Sequence, residues 1–284
     1  MEIGFSQSID GAEQTLGSVF VRSFVRSNER IDDLQRDGLM ILQRPDSFRF
    51  GTDAVLLSDF AQVKPHQRVV DLGAGTGILC LLMAANESGA TFDAVEIQED
   101  MADMARRSVE MNRLESRIRV HNIDMRKAWT QLGHQAFDHV VCNPPYSPAG
   151  TSIKSQDEGI STARHAMDLT LAEIAQSGSR LLRNGGRMAL IYPAPRMLQL
   201  MQALVEENLQ PKRIRIIQDR PDAVPKLIML EAVKGAKPML HWMPPLILRQ
   251  RDGSWTRERN RIYHIEDDNA VINPDELIDK DKTN

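Results

Sequence analysis

A short apolar run, Arg68-Val69-Val70-Asp71, breaks into a glycine-studded turn that ends at Gly77, and the chain resumes as an apolar helical stretch from Ile78 to Ala85. A buried strand that passes into a helix across three glycines is the opening unit of a strand–helix–strand fold. The pattern then repeats. Phe92 to Glu96 reads as a second strand, and Glu99 to Asn112 as a helix with Met101, Met104, Ala105, Ser108 and Met111 on one face. Ile118 to Ile123 and Phe137 to Cys142 read as a third and a fourth strand. A helix over Thr170 to Leu182 is expected to stop before Asn184-Gly185-Gly186, a helix-ending signal. Met188 to Ile191, Arg213 to Ile217 and Leu227 to Val233 supply three more strands, with an Arg196–Glu207 helix between the first two. The alternation predicts an α/β, doubly wound sheet of seven mostly parallel strands with helices on both faces. Gln218 to Lys226 is too short for a crossover helix, so the last two strands should pair antiparallel and leave an antiparallel edge strand.

Upstream, Gly38 to Gln43 reads as a short strand. A polar turn with Pro45 and Asp46 follows, then Phe48-Arg49-Phe50, which together suggest a hairpin. Apolar residues from Asp53 to Phe60 have helical spacing and end before Pro65. The expected organisation is a lead-in over 1–34 and a main domain over 35–265, followed by an acidic tail over 266–284. Within the main domain, 35–60 is the hairpin and helix, 66–235 the core sheet and 236–265 a C-terminal extension.

No apolar run approaches the roughly 18–20 residues that span a bilayer, and the first twenty residues lack a signal-peptide pattern, so no membrane partner is expected. Cys80 and Cys142 lie in apolar segments and read as buried thiols in a reducing cytoplasm. The histidines have no metal-ligand spacing with them, and no metal is expected. A net charge of −4 and pI near 6.0 argue against a globally basic nucleic-acid binder. Local clusters remain, at Lys212, Arg213 and Arg215 and at Arg249, Arg251, Arg257, Arg259 and Arg261, either to neutralise phosphates or to form a solvated face.

The turn Asp71-x-Gly73-Ala74-Gly75-x-Gly77 lets backbone approach a ligand without a Cβ in the way. A dinucleotide fingerprint needs its third glycine one residue later, where this chain has Ile78. The spacing instead suits the methionine and ribose portion of S-adenosylmethionine. Glu96, with Ile97 after it, ends the second strand where a carboxylate can accept ribose hydroxyls. Asp124 follows the third strand and can accept from an adenine amine, with Met125 against the ring.

The fourth strand ends at Asn143-Pro144-Pro145-Tyr146, beside the first and hence beside this cofactor. The lone pair of an amide or aromatic amine nitrogen is delocalised. Two acceptors, the Asn143 side-chain oxygen and the Pro144 carbonyl, can hold its N–H groups and turn that lone pair toward a sulfonium methyl. The prolines stiffen the acceptors, and Tyr146 offers a face for a planar substrate. The tetrapeptide is shared by adenine N6, cytosine N4 and glutamine methyltransferases, so it specifies nitrogen methylation and leaves the substrate open.

Phe48-Arg49-Phe50-Gly51-Thr52-Asp53-Ala54-Val55-Leu56-Leu57, with Ala163-Arg164-His165 and Lys234-Gly235-Ala236-Lys237-Pro238, resembles bacterial tRNA (adenine-37) N6-methyltransferases over roughly residues 35–265. The resemblance implies a Rossmann-like class I methyltransferase that uses S-adenosylmethionine on an adenine beside the anticodon of a valine tRNA, acting as a monomer or homodimer. It implies Asn143 and Tyr146 as catalytic and base-stacking residues, Thr52 and Asp53 near the cofactor carboxylate, and Pro145, Arg164 and His165 on the substrate side. Thr52 or Asp53 could equally be a helix N-cap. Release-factor glutamine methyltransferases carry a helical domain of some 70–80 residues before the cofactor motif, by family resemblance, whereas about 67 residues precede the first strand here. DNA adenine methyltransferases carry a large recognition insertion that is not visible in this chain. A non-catalytic adenosyl-binding scaffold for RNA would not need Asn143 and Tyr146.

Overall fold

The computed structural model describes residues 21, 23–44, 51–144 and 169–265. In chain order its elements are β1 (Arg30–Asp33), β2 (Met40–Gln43), α1 (Thr52–Ala61), β3 (Arg68–Leu72), α2 (Ile78–Asn86), β4 (Thr91–Glu96), α3 (Glu99–Met111) and β5 (Ile118–Asn122). They continue with α4 (Ala128–Leu132), β6 (Phe137–Cys142), α5 (Leu171–Leu181), β7 (Leu182–Pro193), α6 (Met197–Glu206), β8 (Leu209–Gln218) and β9 (Leu227–Lys234). Two short strands, β10 (His241–Trp242) and β11 (Leu246–Ile247), and α7 (Arg257–Ile262) complete them.

The strands β3 to β9 are the seven expected from the sequence, and they hydrogen-bond in the order β8-β9-β7-β6-β3-β4-β5. β3 pairs parallel with β4 and with β6, while β9 runs antiparallel to both β7 and β8. The antiparallel strand is therefore one place in from the edge rather than at it. β10 and β11 lie parallel on the outer side of β8 and cover part of that edge. No helix among the described residues is long and apolar enough to cross a membrane.

Period-2 alternation sorts each strand between two apolar layers. Val69 faces a cluster with Val55 and Leu56 of α1 and Leu79 of α2, whereas Val70 and Leu72 face Ile174 and Leu181 of α5 and Leu200 of α6. Cys80 and Cys142 are both buried as free thiols, and Cys142 donates to the Leu72 carbonyl.

Two expectations change. The hairpin pairs β2 with β1, Arg30↔Gln43 to Asp33↔Met40, so it begins inside the stretch read as lead-in. Its turn uses positive φ at Gln35, Asp37 and Gly38, and Asp37-Gly38 is the hairpin signal that the sequence reading passed over. Residues 48–50, read as its second strand, lie outside the described residues, as does the tail. The second change concerns Asn184-Gly185-Gly186: α5 ends before it at Leu181, as expected, but the glycines lie within β7 rather than in a helix cap. Lys234 Nζ donates to the Ser179 and Leu182 carbonyls at the end of α5, and the chain enters β7 directly. The pairing then jumps from Phe137↔Leu182 to His139↔Arg187, which loops out 183–186. A Cβ on Gly186 would stand 2.9 Å from the Arg183 carbonyl oxygen and 3.2 Å from that of Asp138, so only glycine fits the bulge.

The hairpin docks edge-on against α3, with Ser108 Oγ accepting the Leu42 N–H and Asn112 bridging both backbone groups of Met40. Arg107 locks it in place with hydrogen bonds to both Glu29 carboxylate oxygens (2.6 and 2.7 Å) and an ion pair to Asp103. Burial pushes the Glu29 carboxyl up, but the Arg107 and Arg26 hydrogen bonds outweigh it and hold the group below its usual value. A depressed carboxyl contributes stability that is present above about pH 4.5 and is lost as pH falls through its folded pKa. Arg107→Ala leaves the Glu29 side chain, 2% exposed, without its guanidinium partner and with only the Arg26 backbone N–H to hold it. This should weaken local protection of β1 and β2 amides at neutral pH by about 3–5 kcal/mol in hydrogen exchange. Protection unchanged from wild type would show that the Arg107–Glu29 pair adds nothing to the hold of the apolar face and the Ser108 and Asn112 hydrogen bonds.

Candidate functional site

Three parallel strand ends build the site. β3 pairs with β4 through Leu72↔Val95 and with β6 through Asp71↔Val141, so the glycine turn, Glu96 and Asn143 emerge along one edge of the sheet. The turn is anchored where Gly73 and Ala74 N–H groups both donate to the Val95 carbonyl at 2.9 Å. Gly75 and Gly77 have φ of +55° and +86°, the left-handed region. A Cβ on Gly77 would also stand 3.3 Å from Cβ of Ala105 on α3, whereas at Gly75 it would project into open space. That open side is where a ligand can approach backbone amides, and it suits the cofactor named from the spacing.

Glu96 is 5% exposed, and its carboxylate holds the turn. One oxygen accepts the Gly75 N–H and the other the Gln98 N–H, each at 2.9 Å. A carboxylate has about four acceptor positions, so capacity for a ribose diol remains. Ile97 is half-buried beside it, and its carbonyl accepts from Asn122. Asp124 caps a 3₁₀ turn over Met125–Lys127 and is paired with the Arg126 guanidinium (2.6 Å). Burial raises its carboxyl, yet the Arg126 hydrogen bonds win and hold it below the usual range. Met125 lies against the turn, its Cε 3.3 Å from where a Gly73 Cβ would be. Arg126 also reaches Glu173, whose side chain completes a capping box with Thr170 at the start of α5.

Asp71 opens the turn that the sequence assigns to the cofactor. It is sealed beneath the turn, 1% exposed, and neither carboxylate oxygen has a hydrogen-bond partner. Burial, with the negative Glu96 nearby, pushes its pKa up to about 8. Thr52 and Asp53 open α1 without capping it, because the N-cap is Gly51 and no side chain bonds there. Burial raises the Asp53 carboxyl. The Tyr263 phenol, from the C-terminal extension, lies beside Thr52 and Asp53.

Asn143 is half-buried and Pro144 buried just past β6. Pro145, Tyr146, Arg164 and His165 lie outside the described residues. Among the described residues no group of three His, Cys, Asp or Glu side chains is placed to hold a metal ion.

The basic clusters are mostly engaged internally. Arg213 pairs with Glu231 and stacks on Phe60, Arg215 pairs with Glu258, and Arg261 pairs with Asp59. Arg249 and Arg259 each stack on Trp255, and Arg259 also stacks 3.8 Å over Tyr263. Trp255, Arg259 and Tyr263 recur at i, i+4 spacing, a stacking signal in the sequence that the charge count obscured.

The methyltransferase small domain family matches residues 46–212. A Parabacteroides distasonis protein named tRNA1(Val) (adenine(37)-N6)-methyltransferase is 33% identical over 194 residues, 68% of this chain and 80% of its own length. A Shewanella sediminis protein of the same name is 28% identical over 73% of this chain and 87% of its own length. Among solved structures, a predicted O-methyltransferase from Agrobacterium tumefaciens superposes with a TM-score of 0.63 at 23% identity, covering 75% of this chain and 96% of its own. A 16S rRNA N2 G1207 methyltransferase of T. thermophilus, in complex with AdoMet and guanosine, gives 0.53 at 22% identity over 74% of this chain and 51% of its own. At these identities the structural likenesses speak to the fold.

Asp71 supplies a pH test. Its folded pKa lies above the unfolded value, so the folded state binds the extra proton and stability falls as pH rises between about 4 and 8, by up to about 1.4 kcal/mol per pH unit. Asp71→Asn should remove that slope, so its melting temperature gains on wild type steadily from pH 5 to pH 8. Parallel melting profiles for the two proteins across that range would exclude a protonated Asp71.

Proposed function

The chain belongs to the methyltransferase small domain family and, within it, to the tRNA1(Val) (adenine(37)-N6)-methyltransferases, and on that premise we propose how its residues divide the work. It is an S-adenosylmethionine-dependent enzyme that methylates N6 of adenine 37 in tRNA. The observation that carries the assignment of residues is the adjacency of two strand ends. Asp71↔Val141 pairing sets Asn143 and Pro144 of β6 beside the Asp71–Gly77 turn of β3.

In our reading the turn and Glu96 hold the cofactor's methionine and ribose portions, with Asp124, Met125 and Ile97 around its adenine. Thr52 and Asp53 stand at its carboxylate end. When bound, the cofactor supplies the methyl group as an electrophile. The Asn143 side-chain oxygen and the Pro144 carbonyl accept the two N–H bonds of the target amine, which localises its lone pair and aims it. Positioning of this kind supplies much of the rate, and the proton leaves afterwards from a cationic product without a general base. Tyr146 supports the adenine ring, with Pro145, Arg164 and His165 on the RNA side. The anticodon arm is the part read and the cytoplasm the compartment, with a monomer or homodimer as the acting unit.

Purified protein should transfer labelled methyl from S-adenosylmethionine to unmodified bacterial tRNA and yield N6-methyladenine on digestion. Label on release factor with none on tRNA would sink the RNA reading. Asn143→Ala should keep cofactor binding by calorimetry while kcat drops by about 10²–10³-fold, the cost of removing one preorganised polar group. Full turnover in that variant would remove Asn143 from the catalytic role.

A further inference from the structure

A cleft of about 370 Å³ opens beside Pro144, between α5 and α6, beyond the ends of β6 and β7. Its volume lies within the roughly 300–1,000 Å³ of small-molecule sites. Its lining combines Tyr192, Ile174 and Ala203 with polar groups, among them Arg196 and Gln199 at the start of α6. We propose that this cleft is the subsite for the nucleotide that flanks the target adenine in the RNA. Arg196 would hold that nucleotide's phosphate and Gln199 its base or sugar edge. The proposal rests on the RNA reading of the catalytic site and deepens it.

Two observations carry the inference. The first is position, since the cleft shares Pro144 with the catalytic motif, and a base drawn out of a single-stranded loop brings its neighbour along. Sequence-specific RNA recognition works on such splayed loop nucleotides, with arginine on phosphates fixing the register. The second is charge. The chain is acidic overall, and the arginines of its basic clusters are largely spent on internal carboxylates and rings. Arg196 is half-buried and, among the described residues, has no ion pair, hydrogen bond or ring contact. Glu206, the carboxylate that also lines the cleft, lies at the far end of α6 and accepts from Gln202 at 3.0 Å. A guanidinium without a partner among the described residues, at the rim of this cleft, is available to an anion that arrives with the substrate.

The test is steady-state methylation of tRNA by full-length Arg196→Glu, Arg196→Lys and Gln199→Ala variants, with calorimetric titration of S-adenosylmethionine alongside. Arg196→Glu should raise KM for tRNA about tenfold or more and leave the cofactor Kd unchanged. Its log KM should respond less steeply to log salt, by about the 0.7 expected for one lost phosphate contact on a single strand. Arg196→Lys should restore most of the KM, since a point charge still meets a phosphate, and Gln199→Ala should raise it severalfold. A KM for tRNA within twofold of wild type in Arg196→Glu, or a raised KM with an unaltered salt slope, overturns the subsite while leaving the catalytic reading intact. A wild-type protein that methylates protein and no RNA overturns both. Should Arg196→Glu fail to fold, Arg196→Gln is read in its place by the same KM and salt criteria.

Discussion

Everything at the functional end of this molecule depends on β3 being held in parallel register between β4 and β6. That pairing brings the Val95 carbonyl under the Gly73 and Ala74 amides, Glu96 across to Gly75, and Asn143 out beside the turn. Parallel strands all release their loops at the same edge, so residues far apart in sequence meet there without further device. Helices α1, α2 and α3 on one face and α4, α5 and α6 on the other bury the strands and keep the register from slipping.

The site's electrostatics follow from the same geometry. Two carboxyl groups, Asp71 and Glu96, end adjacent strands, and both are nearly closed off from water. Glu96 accepts two backbone N–H groups, and the Asp71 carboxyl has no partner. A buried carboxyl without donors, near another negative group, keeps its proton. Asp71 therefore reads as a neutral structural acid beneath the turn.

The C-terminal extension shows how charge can mislead when counted along a chain. Arginines that crowd residues 249–261 suggest a phosphate surface, yet stacking of Arg249 and Arg259 on Trp255, and of Arg259 on Tyr263, spends two of them on packing. The same stack carries Tyr263 to Thr52 and Asp53, so the extension supports the start of α1. Lys234 is likewise committed to the carbonyls that end α5. Among the described residues, Arg196 beside Pro144 has no ion pair, hydrogen bond or ring contact, and no motif marks it.

Local chemistry made much of this protein legible in one dimension. Strand–helix alternation, the Asp71–Gly77 spacing, the acidic strand ends and Asn143-Pro144 are each written in a few adjacent residues, and they specified the fold class and the reaction. The sequence reading lost the β1–β2 pairing and the bulge at 183–186, because both depend on partners across the fold: α3 for the hairpin, Lys234 for the end of α5. It also could not tell an exposed charge from a spent one. Whether Asp71 is ionised, whether Arg259 faces water or Trp255, and whether Arg196 has a carboxylate beside it depend on burial and distance. Those are set when distant segments pack, and only the tertiary structure decided them.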